Sequence, residues 1–173
     1  MASGKTTVGR IVAARVGWRF HDLDQLICDA AGRSVARIFA DEGEAGFRRR
    51  ESEALRVAAR LNRAVIATGG GAACSDPNMA LMLASGRVIA LSVTAEEAVR
   101  RAGPDSGRPL LVGAAAPTSV GVAAPPDPRA VAAALQAARE PFYARAHDRV
   151  DTTGKSPEEV AGVVLGLIDA DLP

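Results

Sequence analysis

A short string near the amino terminus has the residue types of a phosphate-binding loop. Residues Ser3 to Thr7 read S-G-K-T-T, the second half of the pattern G-x-x-x-x-G-K-[ST]. In that pattern the glycine lets backbone amides close on phosphate oxygens, the lysine contacts the β- and γ-phosphates, and the hydroxyl binds Mg²⁺. Gly4, Lys5 and Thr6 are therefore candidates for binding a nucleoside triphosphate, although so short a string also fits an ordinary helix start.

Two carboxylates follow the first segment that has the character of a strand. Residues 18–22 are predicted as that strand, and Asp24 lies at the start of the next helix. Ligands of α/β proteins bind at the carboxyl ends of parallel strands, and the alternating spacing puts Asp22 and Asp24 near one site. Either carboxylate also fits a simple helix cap, which is a common position for aspartate.

Three consecutive glycines follow a second apolar strand, predicted over residues 64–68. Gly69, Gly70 and Gly71 would let a ligand approach the backbone and would expose N–H groups to it. A flexible turn explains the same residues.

Strands alternate with helices along the chain, which predicts an α/β fold with a parallel sheet in a single domain. Helices are expected over 4–16, 24–31, 35–40, 44–61, 76–84, 95–102 and 128–147 and after Ser156, and the later strands over 88–93 and 149–152. Residues 103–128 are rich in Gly, Ala and Pro and have no clear period, so we expect a mobile loop there.

Composition excludes several classes of function. The net charge is +1 without a basic block, which argues against nucleic acid as the main partner. The two cysteines form no metal-binding or disulfide pattern. No apolar run reaches the ~18 residues of a membrane span, and no signal peptide is visible. We expect a monomeric cytoplasmic protein that binds small molecules.

Six segments in order resemble the shikimate kinase family over nearly the whole chain. They read S-G-K-T-T-V-G-R, F-H-D-L-D, I-F-A-D-E-G-E-A-G-F-R, A-T-G-G-G-A, R-P-L-L, and R-E-P-F-Y followed by V-D-T. The resemblance implies a three-layer P-loop kinase fold with a central parallel sheet. It also implies ATP- and Mg²⁺-dependent phosphorylation of shikimate to shikimate 3-phosphate, a step of aromatic amino acid (chorismate) biosynthesis.

The resemblance further implies roles at the acceptor end of the site. Asp24 contacts the acceptor hydroxyls as a base or positioner, while Arg48 and Arg139 bind the substrate carboxylate. Hydrogen bonds to substrate come from Gly69, Gly70 and Gly71, chiefly the last two. Arg49 and Arg50 are consecutive with Arg48 and point elsewhere on a helix, so we expect a solvated face. Phe39 and Phe47 resemble the apolar wall beside the substrate ring, and ordinary core packing explains them nearly as well.

At the nucleotide end the implied roles are equally specific. Thr6 and Asp22 hold Mg²⁺, the aspartate through water. Arg108, in R-P-L-L, belongs to a lid over 103–128 and moves over the γ-phosphate. Lys5, Asp24 and Arg108 form the implied catalytic set. The nucleotide-binding set is Ser3, Gly4, Lys5, Thr6, Thr7, Arg101, Arg108 and, less surely, Lys155, with Arg101 and Lys155 near the adenine.

Two departures from the family pattern accompany these expectations. The first glycine of the loop and the strand before it would lie ahead of Met1, so we expect a sheet without its central strand and a natural start further upstream. Residues 111–128 are longer than the usual lid. Two alternatives remain, a non-catalytic relative that binds a ligand or partner and a gluconate kinase-like enzyme. The D-L-D, G-F-R and G-G-G segments disfavour the second alternative.

Overall fold

The structure, a computed structural model, describes residues 2–102 and 127–169, and the predicted elements are found there with small changes of boundary. The strands are β1 (Arg19–Asp22), β2 (Ala64–Ala67), β3 (Ile89–Ser92) and β4 (Asp148–Asp151). The helices are α1 (Lys5–Val16), α2 (Leu23–Ala31), α3 (Val35–Ala58), α4 (Asp76–Ser85), α5 (Ala95–Ala102), α6 (Pro128–Tyr143) and α7 (Pro157–Asp169), with a short 3₁₀ turn at Ala72–Cys74. A loop and lid are expected over 103–128, and residues 103–126 of that range lie outside the described residues.

Turn chemistry explains where the first helices begin and end. Gly17 closes α1 in the left-handed region, with φ 69°, where only glycine is unstrained. Asp22 caps α2 by accepting the amide of Asp24 at 3.1 Å. The two helices predicted over 35–40 and 44–61 are present within α3, and they meet at Gly43, whose φ of 66° and ψ of −174° are not helical.

The strands form two separate parallel pairs. β1 pairs with β2, with Arg19 opposite Ala64, and β3 pairs with β4, with Ile89 opposite Asp148. The predicted α/β fold with parallel strands is present, as two small sheets: within residues 2–102 and 127–169, β2 and β3 each have a single strand partner.

A cleft separates the two pairs of strands. Its volume is about 470 Å³, and its lining includes side chains of both inner strands, such as Ile66 and Leu91, together with Val12 of α1 and Val164 of α7. Most of this lining is aliphatic. The two pairs are thus connected through the helices that flank them.

Two apolar clusters pack the helices against the strands. Leu23, Ile27 and Ile38 are fully buried between α2 and α3 on one side. Val8 and Val160 hold α1 against α7 on the other. Burying a side chain of this size contributes roughly 1.5–3 kcal/mol each, so these clusters fix the helices from which the polar residues project. Within the described ranges, no helix is both long and apolar enough to cross a membrane.

Candidate active site

The S-G-K-T-T string forms a left-handed turn followed by a helix, as a phosphate loop requires. Gly4 has φ 84° and precedes Lys5, the first residue of α1. Ser3 is buried, and its hydroxyl oxygen accepts a hydrogen bond from Lys5 Nζ at 3.3 Å. The first amides of a helix have no intrahelical acceptor, so this end of α1 attracts an anion.

Thr6 and Asp22, the pair predicted for the metal, lie together. The Thr6 hydroxyl donates to Asp22 Oδ2 at 2.8 Å, while the other carboxylate oxygen caps α2. Asp22 is therefore a helix cap and a neighbour of the phosphate loop at once. A hydroxyl and one carboxylate are oxygen ligands of the kind that Mg²⁺ takes when phosphate oxygens and waters complete its octahedron. The donor set fits such an ion, although the described residues hold no group of three acidic, His or Cys ligands.

Gly69 brings two carboxylates together at the end of β2. A Cβ on this residue would lie 3.2 Å from Asp24 Oδ1 and 3.2 Å from Glu51 Oε1. Glycine therefore leaves the space that both acids use.

Glu51 is a member of the site that the sequence reasoning missed. Its side chain is 1% exposed and accepts a hydrogen bond from Arg48 Nη1 at 2.8 Å, while Glu44 accepts from Arg48 Nη2 at 3.2 Å. Burial raises the pKa of Glu51, and the adjacent Arg48 opposes that rise. The signal available in the sequence was the i,i+3 spacing of opposite charges on one helix.

Two guanidinium groups converge on the glycine turn. A Cβ on Gly71 would collide with the Arg48 guanidinium, which would lie 2.6 Å away at Cζ. A Cβ on Gly70 would lie 2.7 Å from Arg139 Nη1. Arg48 comes from α3 and Arg139 from α6, so two helices deliver positive charge to one short stretch of backbone. This arrangement suits an anion that accepts hydrogen bonds from both forks.

Tyr143 completes this end of the site. The sequence motif R-E-P-F-Y contains this residue, but no role was predicted for it. Its hydroxyl donates to the Gly70 carbonyl at 2.8 Å, and Cys74 Sγ donates to the same oxygen at 3.5 Å. Burial raises the pKa of Tyr143, while Arg139 acts in the opposite direction. Burial likewise raises the pKa of the Cys74 thiol.

The two phenylalanines of the predicted apolar wall stack on each other. The ring centroids of Phe39 and Phe47 are 4.6 Å apart, and the Arg48 guanidinium lies 5.5 Å from the Phe47 ring centroid. Phe47 is buried in the α2–α3 cluster. Core packing therefore accounts for it, and its ring also supports Arg48. Arg50 is half-buried and binds Glu42, contrary to the solvated face expected for it.

Arg101 and Lys155 lie near the carboxyl ends of β3 and β4. Arg101 donates from Nε to Glu97 at 2.8 Å and from Nη1 and Nη2 to the Thr152 hydroxyl and carbonyl at 3.1 and 2.7 Å. Lys155 Nζ donates to the Asp151 carbonyl at 2.8 Å. The donor edge of Arg101 is engaged, whereas the flat face of a guanidinium can still stack on an aromatic ring. Arg108 lies outside the described residues.

Comparisons with known proteins agree with this arrangement. A model of the shikimate kinase family matches residues 1–169. The shikimate kinases of Geobacter metallireducens and Moorella thermoacetica are 41% and 44% identical to the chain, each over 98% of it and over 88% and 91% of their own lengths.

Solved structures give the same result. Shikimate kinase from Acinetobacter baumannii in complex with shikimate has a TM-score of 0.87 at 33% identity, covering 99% of this chain and 89% of that one. The Bacteroides thetaiotaomicron enzyme has a TM-score of 0.84 at 29% identity, with 98% and 94% covered. Because the family model already matches from residue 1, the expectation of a shortened chain receives no support from this comparison. The chain belongs to the shikimate kinase family, a family of phosphotransferases, as the motifs predicted.

Proposed function

We propose that the chain transfers the γ-phosphoryl group of ATP to a hydroxyl of shikimate and releases shikimate 3-phosphate and ADP. The observation that carries this proposal is the convergence of Arg48 and Arg139 on Gly70 and Gly71, next to the carboxylate of Asp24. Two guanidiniums fit a carboxylate, and an adjacent acid fits ring hydroxyls, so the chemistry matches a hydroxy acid.

The acceptor end would work by holding the hydroxyl in line with the phosphorus. The hydroxyl oxygen attacks the γ-phosphorus, the bond to the β–γ bridging oxygen breaks, and the hydroxyl proton goes to Asp24. Most of the acceleration in such transfers comes from positioning and charge stabilisation, so Arg48 and Arg139 contribute by orienting the ring. Glu51 would keep Arg48 in the orientation that meets the substrate, because it accepts from Nη1 at 2.8 Å.

The nucleotide end would bind through the loop and the start of α1. Lys5 and the amides of Gly4, Thr6 and Thr7 suit the phosphates, with the positive end of α1 adding to the field. Thr6 and Asp22 would hold Mg²⁺, which when bound neutralises charge on the phosphates. Their mutual contact at 2.8 Å supports this pairing.

The remaining nucleotide contacts are proposed for three basic residues. Arg101 would stack its face on the adenine, since its donor edge is engaged by Glu97 and Thr152. Lys155 would contribute charge near the same place. Arg108 is proposed from the resemblance alone as a further cation at the γ-phosphate, delivered by a lid. We also expect the enzyme to act as a monomer in the cytoplasm.

We further propose that an extended apolar segment occupies the cleft between β2 and β3 and joins the two pairs into one five-stranded parallel sheet. The aliphatic lining and the single partner of each inner strand support this. Adding an apolar strand-forming extension at the amino terminus should raise the melting temperature and the affinity for ATP. A scrambled polar extension of equal length is the control, and equal effects of the two extensions would rule out strand pairing.

A coupled assay of ADP release tests the proposed reaction. We expect turnover with shikimate, ATP and Mg²⁺ together, and none when shikimate is replaced by gluconate. Equal turnover with gluconate would instead support a gluconate kinase-like enzyme. Binding of both ligands without turnover, in the presence of Mg²⁺, would support the non-catalytic alternative.

A further inference from the structure

We infer that Tyr143 is a positioning residue for the acceptor site, because its hydroxyl selects the orientation of the Gly70–Gly71 peptide that presents an amide to an anion. This inference rests on the proposed function, in which Arg48 and Arg139 bind the substrate carboxylate beside Gly70 and Gly71. It concerns a side chain that contacts the Gly70 carbonyl and acts through the glycine turn.

The carbonyl of Gly70 differs from its neighbours in what binds it. The Gly69 carbonyl accepts the amide of Ala72 at 3.2 Å, and the Gly71 carbonyl accepts the amide of Cys74 at 3.0 Å. The Gly70 carbonyl instead accepts the Tyr143 hydroxyl at 2.8 Å and the Cys74 thiol at 3.5 Å. A thiol is a weak donor, so the tyrosine is the stronger of these two side-chain contacts.

The orientation of that carbonyl decides where the next amide points. In a trans peptide the C=O of Gly70 and the N–H of Gly71 point in opposite directions, and the described residues contain no cis peptide. With its carbonyl bonded to Tyr143 on α6, the peptide turns the Gly71 amide to the opposite side. A rotated peptide would present a carbonyl oxygen in its place, which repels a carboxylate.

The local sequence does not itself prevent that rotation. Gly71 has φ −89°, and turning the preceding peptide over would bring this angle to about +90°, a value that glycine alone adopts readily. A side chain at position 71 would block the rotation, but it would also collide with Arg48. The chain therefore needs glycine for space, and the Tyr143 hydroxyl supplies the selectivity that glycine lacks.

Tyr143 also lies beside the guanidinium of Arg139. The two residues are four apart on α6, so they share one face of the helix. A Cβ at Gly70 would lie 2.7 Å from Arg139 Nη1 and 3.2 Å from Tyr143 Oη, which puts both groups on the same side of that residue. The raised pKa of Tyr143 keeps the hydroxyl protonated, so it remains a donor.

The test is Tyr143→Phe, which keeps the ring and removes only the hydroxyl. We expect KM for shikimate to rise about five- to tenfold, the effect of losing one neutral hydrogen bond, while KM for ATP changes less than about twofold. Cys74→Ala is the comparison variant: it removes the weaker partner of the same carbonyl, so it should raise KM for shikimate less than Tyr143→Phe does.

Calorimetric titration with shikimate gives a readout that does not need turnover. The dissociation constant should rise by the same factor in Tyr143→Phe, with the melting temperature little changed. An unchanged shikimate affinity would overturn the inference, and so would a parallel loss for shikimate and ATP with a lower melting temperature, which indicates a purely structural role. Absence of turnover in the unmodified protein would count against the proposed function, whereas the titration would still decide the role of Tyr143.

Discussion

Replacing Arg48 by alanine should weaken substrate binding and also leave a buried acid without its partner. Arg48 Nη1 lies 2.8 Å from Glu51 Oε2, and the glutamate side chain is 1% exposed. Loss of a charge-assisted contact to the substrate carboxylate costs roughly 1.5–3 kcal/mol, or about 10- to 150-fold in shikimate affinity. Breaking a buried ion pair costs about 3–5 kcal/mol. Because the Arg48 side chain is 32% exposed, we expect the free energy of unfolding to fall by about 3 kcal/mol, the lower end of that range.

The loss of stability should depend on pH with a definite sign. Burial raises the pKa of Glu51 above its ordinary 4.5, so stability is lost as pH rises from that value through the folded pKa. Arg48 opposes that rise, and without it the folded pKa moves higher and the loss extends to higher pH. The difference in melting temperature between Arg48→Ala and the unmodified protein should therefore be small near pH 4 and grow towards pH 8.

Two further variants separate stability from binding. Adding Glu51→Gln to Arg48→Ala removes the stranded charge, so it should restore most of the melting temperature but none of the shikimate affinity. Arg49→Ala, at the exposed neighbouring position, should change neither quantity. Thermal melts from pH 4 to 8 and calorimetric titrations with shikimate measure both. A stability difference independent of pH, or no recovery in the double variant, would refute the reasoning about Glu51. A shikimate affinity within twofold of normal would refute the role of Arg48.

The other predictions concern neighbouring residues of the site. Asp24→Asn should lower kcat, measured by steady-state kinetics, by ~10²–10⁴-fold, the usual contribution of a positioned base. If the variant keeps full activity, Asp24 is not the base. Gly71→Ala should weaken shikimate binding measured by calorimetry, because the added methyl group displaces the Arg48 guanidinium; binding within threefold of normal would contradict the close approach. Cys74 should react with a thiol reagent more slowly when shikimate is bound, with Cys28 as the internal reference in a mass-spectrometric assay, and equal rates would place Cys74 away from the substrate.

The sequence predicted most of the local structure because the signals involved are local. Left-handed Gly17 and Gly32 end their helices where expected, and Ser34 caps α3 by accepting the Arg37 amide at 3.3 Å. The positions of β2 and β3 follow from short apolar runs between turn residues. The break between the two predicted helices lies at Gly43, because glycine readily adopts the non-helical, positive-φ backbone found there.

The sequence was less informative about partners that belong to different elements. Glu51 of α3 lies beside Gly69, and Tyr143 of α6 contacts the Gly70 carbonyl, so both positions follow from packing of α3 and α6 against the end of β2. Nothing in the residue pattern fixed which side of each helix would meet that turn. Which strand pairs with which depends on long-range contacts, which periodicity does not report.

The division of the strands also has a consequence for how acceptor preference can change during evolution. The residues that follow β1 and β2 are Asp24 and Gly69 to Gly71. At the other pair of strands, Arg101 and Lys155 donate hydrogen bonds to carbonyls at the end of β4. Helix α1 packs on β1, β2 and α7, so it spans both groups and carries the phosphate loop at its first turn. Substitutions along β1, β2 and α3 can therefore alter the proposed acceptor pocket while Arg101 and Lys155, which we propose to contact the adenine, stay unchanged. Altered packing of α1, in contrast, would misalign donor and acceptor and lower kcat even if each ligand still bound normally.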